Sequence, residues 1–554
     1  MRNRRLVVSA ALVAAGIGLI PGMARAAGPV EPSGPGVAAS AGAPGKAKAS
    51  TAETFRSPAD RTVVTSSPTA PRATAAAGNP GLAIGLETTA YSAHTVNLQT
   101  TVTSADAVLD VVIDWGDGAT DKLAPSGSAV LNRTHTYAEV GTYTVTVTVK
   151  DWTNNVTAAN VVKAVTAGTE FTAHAPTRLL DTRAGTGAAK AKVGARGVVA
   201  LKVGGNAQIP ADVAAVALNV TVTNATDAGH IAVQPGKDFI QPTTSNLNYA
   251  AGQTVPNLVI VPVVDGYVHL VNGGWASVDL IADVTGYFTH SAAAGYSPLT
   301  PVRAVDTREG LGAAKGQVPG YGTFGVEIAD RRGVPKGATA VSLNLTVTNP
   351  QEAGHLTAYP SGQTAPSTSS VNFSAGQTVA NSVIVPVGPD GRISIRNGSW
   401  KPADVVIDVV GYYSPDSRAA LRPVSEPFRL IDTREEAWYR TAGPVPAREY
   451  LLLPLLGDSP GPVTGWVLNT TVTNTRGAGF LSVAPDPNTW TDYQKGLQVR
   501  PERPVSSSLN WTRGATVPNL VQTSGGKGDV IDFWNQGWEP VDVIVDCLGF
   551  YQTD

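Results

Sequence analysis

One stretch occurs three times in this chain, and that recurrence limits the fold more than any other feature. "RLLDTRAG" begins at Arg178, "RAVDTREG" at Arg303 and "RLIDTREE" at Arg429, with Asp181, Asp306 and Asp432 spaced by 125 and 126 residues. The same landmarks follow each opening. "ALNVTVTN" from Ala217 returns as "SLNLTVTN" from Ser342 and "VLNTTVTN" from Val467; "VPN", "VAN" and "VPN" end at Asn257, Asn381 and Asn519. Each copy then closes with an Asn-x-x-Trp turn and a strand, "VDLIADVTGYF", "DVVIDVVGYY" or "VDVIVDCLGFY". A repeat this long is far larger than a solenoid turn or a propeller blade. Many short strands without helical period therefore predict three complete β-sandwich or jelly-roll-like modules, over 171–290, 296–414 and 422–554.

Alternation within the copies assigns faces. In "LNVTVTN", Asn219, Thr221 and Thr223 oppose Leu218, Val220 and Val222, as in an antiparallel strand with one wet side. On the first closing strand Val278, Leu280, Ala282 and Val284 oppose Asp279, Ile281 and Asp283. The acid pair returns as Asp404 and Asp408, and as Asp542 and Asp546.

Ahead of the copies, 81–168 is rich in strand formers. "TYTVTVTV" from Thr142 places Tyr143, Val145, Val147 and Val149 on one face, predicting a small β-sandwich. The run Asp114-Trp115-Gly116-Asp117-Gly118, then His135-Thr136-Tyr137, then Gly141-Thr142-Tyr143 closely resembles the polycystic-kidney-disease (PKD) family. That resemblance implies an immunoglobulin-like sandwich acting as a spacer or as an aid to polysaccharide or protein contact, with His135 structural. The chain departs from the family pattern at "DWTNN" after the last of these strands. The three copies, for their part, resemble the "LDTR" repeat modules common in exported proteins of actinobacteria, which implies an exported bacterial setting.

The first residues point the same way. Arg2, Arg4 and Arg5 precede an apolar run from Leu6 to Ile20 and an Ala24-x-Ala26 cleavage pattern, so 1–26 reads as a secretory signal peptide. Residues 27–80 are dominated by Ala, Pro, Ser and Thr and are expected to form a disordered linker, unable to bury enough surface to offset chain entropy. No later segment has the roughly 20 continuous apolar residues of a membrane span. With net charge -2 and 15% charged residues, the chain has no basic field to attract phosphates, and nucleic acid is not an expected partner. Cys547 is the sole cysteine, so no bridge forms within the chain; Val284 and Val409 occupy its place in the other copies, marking a core position.

The repeated acids admit three roles: acid and base, calcium ligands, or acceptors for buried donors. No Asp-rich loop supplies the six to eight oxygens calcium takes, and nothing sets the two acids of a pair in the unlike environments that catalysis needs. Donors are at hand in Arg178 and Arg183, Arg303 and Arg308, Arg429 and Arg434. Structural pairing of Asp181, Asp306, Asp432, Asp283, Asp408 and Asp546 with these arginines is thus the expected role. His230 and His355 align with Phe480, which removes any metal or proton-transfer role common to the modules. No metal, no cofactor and no catalytic set is expected, so the chain is not read as an enzyme.

The candidate ligand residues are aromatic. Trp275, Trp400 and Trp538 each follow an asparagine, Asn272, Asn397 or Asn535, and each precedes the first closing aspartate by four residues. An indole there can be a flat platform for a sugar ring, with Asn reaching its hydroxyls, or it can fold inward as a plug; the gain from burial favours the plug. The third copy adds Trp438, Tyr439, Trp490 and Tyr493 in longer loops, where specificity commonly resides. The expected protein is extracellular, secreted or attached to the cell surface. It is a non-catalytic binding or adhesion protein for polysaccharide or a cell-envelope component, with other surface proteins as further partners. The alternatives are a structural spacer or coat protein and a carbohydrate-active hydrolase.

Overall fold

The structure, a computed structural model, describes residues 53–66, 79, 81–105, 108–239, 241–455 and 462–554. The expected signal peptide and most of the expected linker lie outside these residues. Nearly all of the regular structure is β. In the first module Glu170–Asp181, Asp279–Thr289, Ala215–Thr223 and Val255–Pro262 lie side by side in that order. A second sheet holds Val198–Lys202, Tyr267–Asn272, Gly229–Pro235 and Leu247–Tyr249. All pairings are antiparallel. The chain changes sheet at every connection except that between Gly229–Pro235 and Leu247–Tyr249, which makes the module an eight-stranded jelly roll. The second and third modules repeat this order strand for strand. Each has its own apolar core between the sheets, around Leu218, Leu343 or Leu468.

The three jelly rolls close into a ring about a pseudo-threefold axis. Asn219 donates its amide to the carbonyl of Ser369 in the second module, Asn344 to that of Ser507 in the third, and Asn469 to that of Ser245 in the first. Running the other way, the amide of Asn257 reaches Asn469 Oδ1 at 3.1 Å, Asn381 reaches Asn219 Oδ1 at 2.9 Å, and Asn519 reaches Asn344 Oδ1 at 3.1 Å. A third cycle joins the module openings: Phe171 N to Ala294 O, Tyr296 N to Ala419 O, and Leu421 N to Thr169 O. Cyclic contacts of this kind require the first and third modules to touch although they are not neighbours in sequence.

This closure overturns the expectation of a wet side on the "LNVTVTN" strand. All nine residues of Ala215–Thr223 are buried, as are those of Ala340–Thr348. The apolar face fills its own jelly roll, while Ala215, Ala217 and Asn219 face the axis. There they meet a shared core of Phe171, Phe288, Tyr296, Tyr413, Leu421 and Tyr551. Phe171 stacks on Tyr413 with ring centroids 4.1 Å apart, and Tyr296 on Tyr551 at 4.3 Å. The hydroxyls of Tyr413 and Tyr551 lie 2.6 Å apart, and Gln522 donates to both. Buried amides and hydroxyls are costly unless paired, so the asparagine cycle allows a polar face to serve as an interface.

The PKD-like sandwich caps one end of the ring. One of its sheets orders Thr54–Ser57, Ala83–Ala90, Thr95–Thr103 and Ala129–Thr136; the other runs from Val63–Ser66 through Val156–Val165, Thr142–Asp151 and Leu109–Asp114 to Thr120–Leu123. Thr54–Ser57 and Val63–Ser66 fall within 27–80, so part of the expected disordered linker is instead an edge strand on each sheet. The physical reason lies in the partner strands: Ala83–Ala90 and Val156–Val165 offer free backbone edges that pair with it. His94 Nε2 lies 2.9 Å from Arg418 O, the His94 backbone N–H donates to Asp554, and His290 Nδ1 lies 3.0 Å from Gly168 O. The PKD-like end is thus the end at which the closing strands finish. Those strands have 11 residues each, so the Asn-x-x-Trp turns at their starts sit roughly 35 Å away, on the opposite face of the ring.

Candidate functional site

The three turns are built alike. Asn272 is fully buried, and its amide donates to Gly194 O at 2.8 Å, Ala276 O at 2.9 Å and Val193 O at 3.2 Å. Its Oδ1 accepts from Gly274 N and from the Tyr249 hydroxyl. Asn397 and Asn535 hold the same positions, with amide bonds to Lys401 O and Glu539 O at 2.9 Å. The expected role of these asparagines as ligand groups is therefore corrected. Their polar atoms are spent on backbone, and they act as internal braces that fix each turn.

The tryptophans that follow point outward. Trp275, Trp400 and Trp538 are 73%, 74% and 78% exposed, against the plug that burial energetics favoured. The regular strand begins only at Asp279, Asp404 or Asp542. The asparagine brace holds the preceding turn clear of the sheet, so the even spacing from Trp to Asp does not carry the indole into the interior.

Each indole has a companion on the loop that the asparagine ties down. Arg196 lies over the Trp275 ring at 4.3 Å, Arg448 over Trp538 at 5.0 Å, and Tyr321 meets Trp400 edge-on at 4.8 Å. These companions share a left-handed backbone, with φ of 56°, 58° and 61° at Arg196, Tyr321 and Arg448. That conformation costs a non-glycine residue about 1 to 2 kcal/mol. It is retained in all three modules and it delivers a side chain to the indole each time. Sequence reading missed these companions, although their place before the strands opening at Val198, Thr323 and Tyr450 repeats in every copy.

Arginines hold the opening acid and the second closing acid of each module. Arg178 grips Asp283 bidentately, at 2.8 and 3.1 Å, and Arg183 grips Asp181 at 2.9 and 2.7 Å. Arg303 and Arg308 repeat this at Asp408 and Asp306, and Arg429 and Arg434 at Asp546 and Asp432. Arg183 hydrogen-bonds hold Asp181 below the usual carboxylate range, whereas burial raises Asp283, Asp408 and Asp546. The first closing acid is not bound by arginine: Asp279 accepts from Thr182 at 2.9 Å and from Asn224, itself left-handed at φ 54°, at 2.8 Å. Cys547 is buried, and burial pushes its thiol up to about 12. In the PKD-like sandwich His135 stacks on Trp115 at 4.7 Å and lies 2.7 Å from Asp117, a brace for the hallmark turn.

The third module differs. Its inserted loop begins with a short helix, Trp490–Lys495, capped by Thr489. Trp438, Tyr439 and Trp490 form a cluster with centroids 5.0 to 5.7 Å apart, and Tyr493 lies 6.3 Å from Trp490. Trp438 is exposed, while Tyr439, Trp490 and Tyr493 are half-buried and Tyr493 donates to Asp486 at 2.6 Å. These four come together in one cluster. Among the described residues no group of His, Cys, Asp and Glu is arranged to hold a metal, and no helix is long and apolar enough to cross a membrane.

Among solved structures the chain is similar to carbohydrate-binding modules of the β-sandwich superfamily at 12% identity, covering 38% of this chain and 94% of that one with a TM-score of 0.16. It is also similar to a SusE-like protein at 10% identity, covering 36% and 96% with a TM-score of 0.12. A structure from Sulfolobus turreted icosahedral virus matches at 7% identity over 71% of this chain and 86% of that one, with a TM-score of 0.14. At these scores none of the three bears on function. No curated protein matches the sequence. Residues 77–166, whose described part lies in the sandwich at the base of the ring, match the family described as PKD domain.

Proposed function

We propose that this is a secreted, non-catalytic binding protein of the cell exterior that attaches to polysaccharide or another cell-envelope component through one face of its ring. The observation that carries this reading is the exposure of Trp275, Trp400 and Trp538 at equivalent positions. An indole loses burial energy by standing in water, yet here a buried asparagine and a left-handed neighbour hold it there three times over. Flat apolar rings with polar edges suit the faces of sugars. The pseudo-threefold axis sets all three at one height, so weak contacts to a repeating polymer combine through avidity. In each closing pair the second acid is held by arginine and the first by threonine and asparagine, which leaves no free pair for hydrolysis and supports a binding role over an enzymatic one. A pull-down on insoluble glycans and envelope preparations tests the reading. Replacing all three tryptophans by alanine should abolish retention with unchanged melting, while single replacements weaken it in steps; undiminished retention by the triple variant would refute the proposal.

A further inference from the structure

The third indole is surrounded by more positive charge than the other two. The inserted loop returns to the Asn535 turn, where Gln536 Nε2 donates to Pro504 O at 3.0 Å. Arg503 on that loop donates to Arg448 O at 2.6 Å, and Arg448 donates to Gln536 O at 2.7 Å. Arg500 and Arg503 lie over Trp534 at 5.8 and 5.4 Å, and Trp534 stacks on Tyr450 at 4.5 Å. Three guanidiniums are thus gathered at the turn that carries Trp538, and among the described residues the one carboxylate paired with them is Glu449, 3.0 Å from Arg500. Glu502, on the same loop, forms no ion pair with any of the three arginines, and Arg500 and Arg503 are exposed. The paired strand positions that hold Tyr450 and Trp534 carry Val198 and Val271 in the first module and Thr323 and Arg396 in the second. This assembly belongs to the third module alone.

We propose that the third module carries a dedicated site for an acidic saccharide, with Trp538 stacking on the sugar and Arg448, Arg500 and Arg503 receiving its anionic group. The assignment rests on the reading of the exposed tryptophans as sugar platforms. Like charges held together repel, and an anion relieves that repulsion. Each of these guanidiniums spends one amino group on a protein acceptor and keeps its other N–H groups for contact with a carboxylate or phosphate. Aromatic packing fixes their orientation before the ligand arrives, which limits the entropy lost on binding.

The test uses the full chain with polygalacturonate as a carboxylated probe, poly(ribitol phosphate) as a phosphorylated one and a neutral glucan as control, read by affinity electrophoresis. The chain should prefer at least one anionic polymer over the glucan, and Arg500→Gln with Arg503→Gln should weaken that binding at least tenfold without changing retention by the glucan. Raising the salt should weaken the anionic interaction alone. Unchanged anionic binding in the double variant, or none to either anionic polymer while the glucan is still bound through Trp275 and Trp400, overturns this site and leaves the broader function standing. No binding to any of the three overturns both. Binding to anionic phospholipid vesicles that depends on the same arginines, without binding to the polymers, would reassign the site to a membrane surface and likewise overturn it.

Discussion

Asp532 is the sharpest place to perturb the third module. It is 1% exposed, and its polar neighbours include the Asp486 carboxyl and the Trp534 indole N–H. Burial, and then the neighbouring Asp486, push its carboxyl from 3.8 to about 9, so the folded protein holds it neutral at pH 7. The unfolded chain ionises near 3.8, and folding at pH 7 therefore requires uptake of a proton. Because the folded value is the raised one, the favourable contribution is complete below about pH 4 and is lost as pH climbs towards 9. At about 1.4 kcal/mol for each tenfold change in acidity, the cost at pH 7 is roughly 4 kcal/mol. Asp532→Asn keeps the shape and removes the proton, so it should stabilise the third module by roughly 2 to 4 kcal/mol at pH 7 and hardly at all at pH 4. Scanning calorimetry of the full chain from pH 4 to 9 would show the wild-type transition of this module falling with pH and the variant's staying level. A variant less stable than wild type at pH 7, or one with an unaltered pH slope, would refute the assignment of a neutral carboxyl.

Other perturbations probe the frame. Arg303→Ala strips the bidentate partner from buried Asp408 and should cost about 3 to 5 kcal/mol in chemical denaturation, as for other broken buried pairs. Asn344→Ala leaves the Asn519 amide and the Ser507 carbonyl without their partner across the second and third modules; a loss of about 1 to 3 kcal/mol is expected, with hydrogen exchange rising first at that interface. Cys547, whose thiol burial pushes up to about 12, should ignore a disulfide reagent in the folded protein and react once denaturant is added.

Much of this architecture can be read from residues, and what escapes reading has physical causes. The period of the "DTR" openings marks the module lengths, and the Arg and Asp types at fixed offsets point to pairing of these acids with arginines, though not to which arginine takes which acid. Alternation in "LNVTVTN" shows a polar face but not what that face meets. Water and a second module both accept Asn219 and Thr221, and the cycle that decides between them links residues such as Asn219 and Ser369, about 150 positions apart. The orientation of Trp275 escaped for a related reason. Burial energetics treat the indole alone, whereas its place is set by Asn272 bonding to Val193 and Gly194, on a loop far upstream. The basic cluster of the third module was illegible because Arg448, Arg500, Arg503 and Trp534 come from separate strands and loops.

The ring also bears on how its binding points can change. In a trimer of identical chains any substitution appears at all three positions at once, so a residue that suits one ligand must be tolerated in triplicate. Here the three subunits are joined in one polypeptide, and the companion of the exposed indole is already Arg196, Tyr321 or Arg448 by module, just as the site of Asp532 is His269 in the first and Ser394 in the second. The asparagine cycle demands sameness at the axis and leaves the rim free. A single chain can thus keep trimeric geometry while each corner drifts towards a ligand of its own.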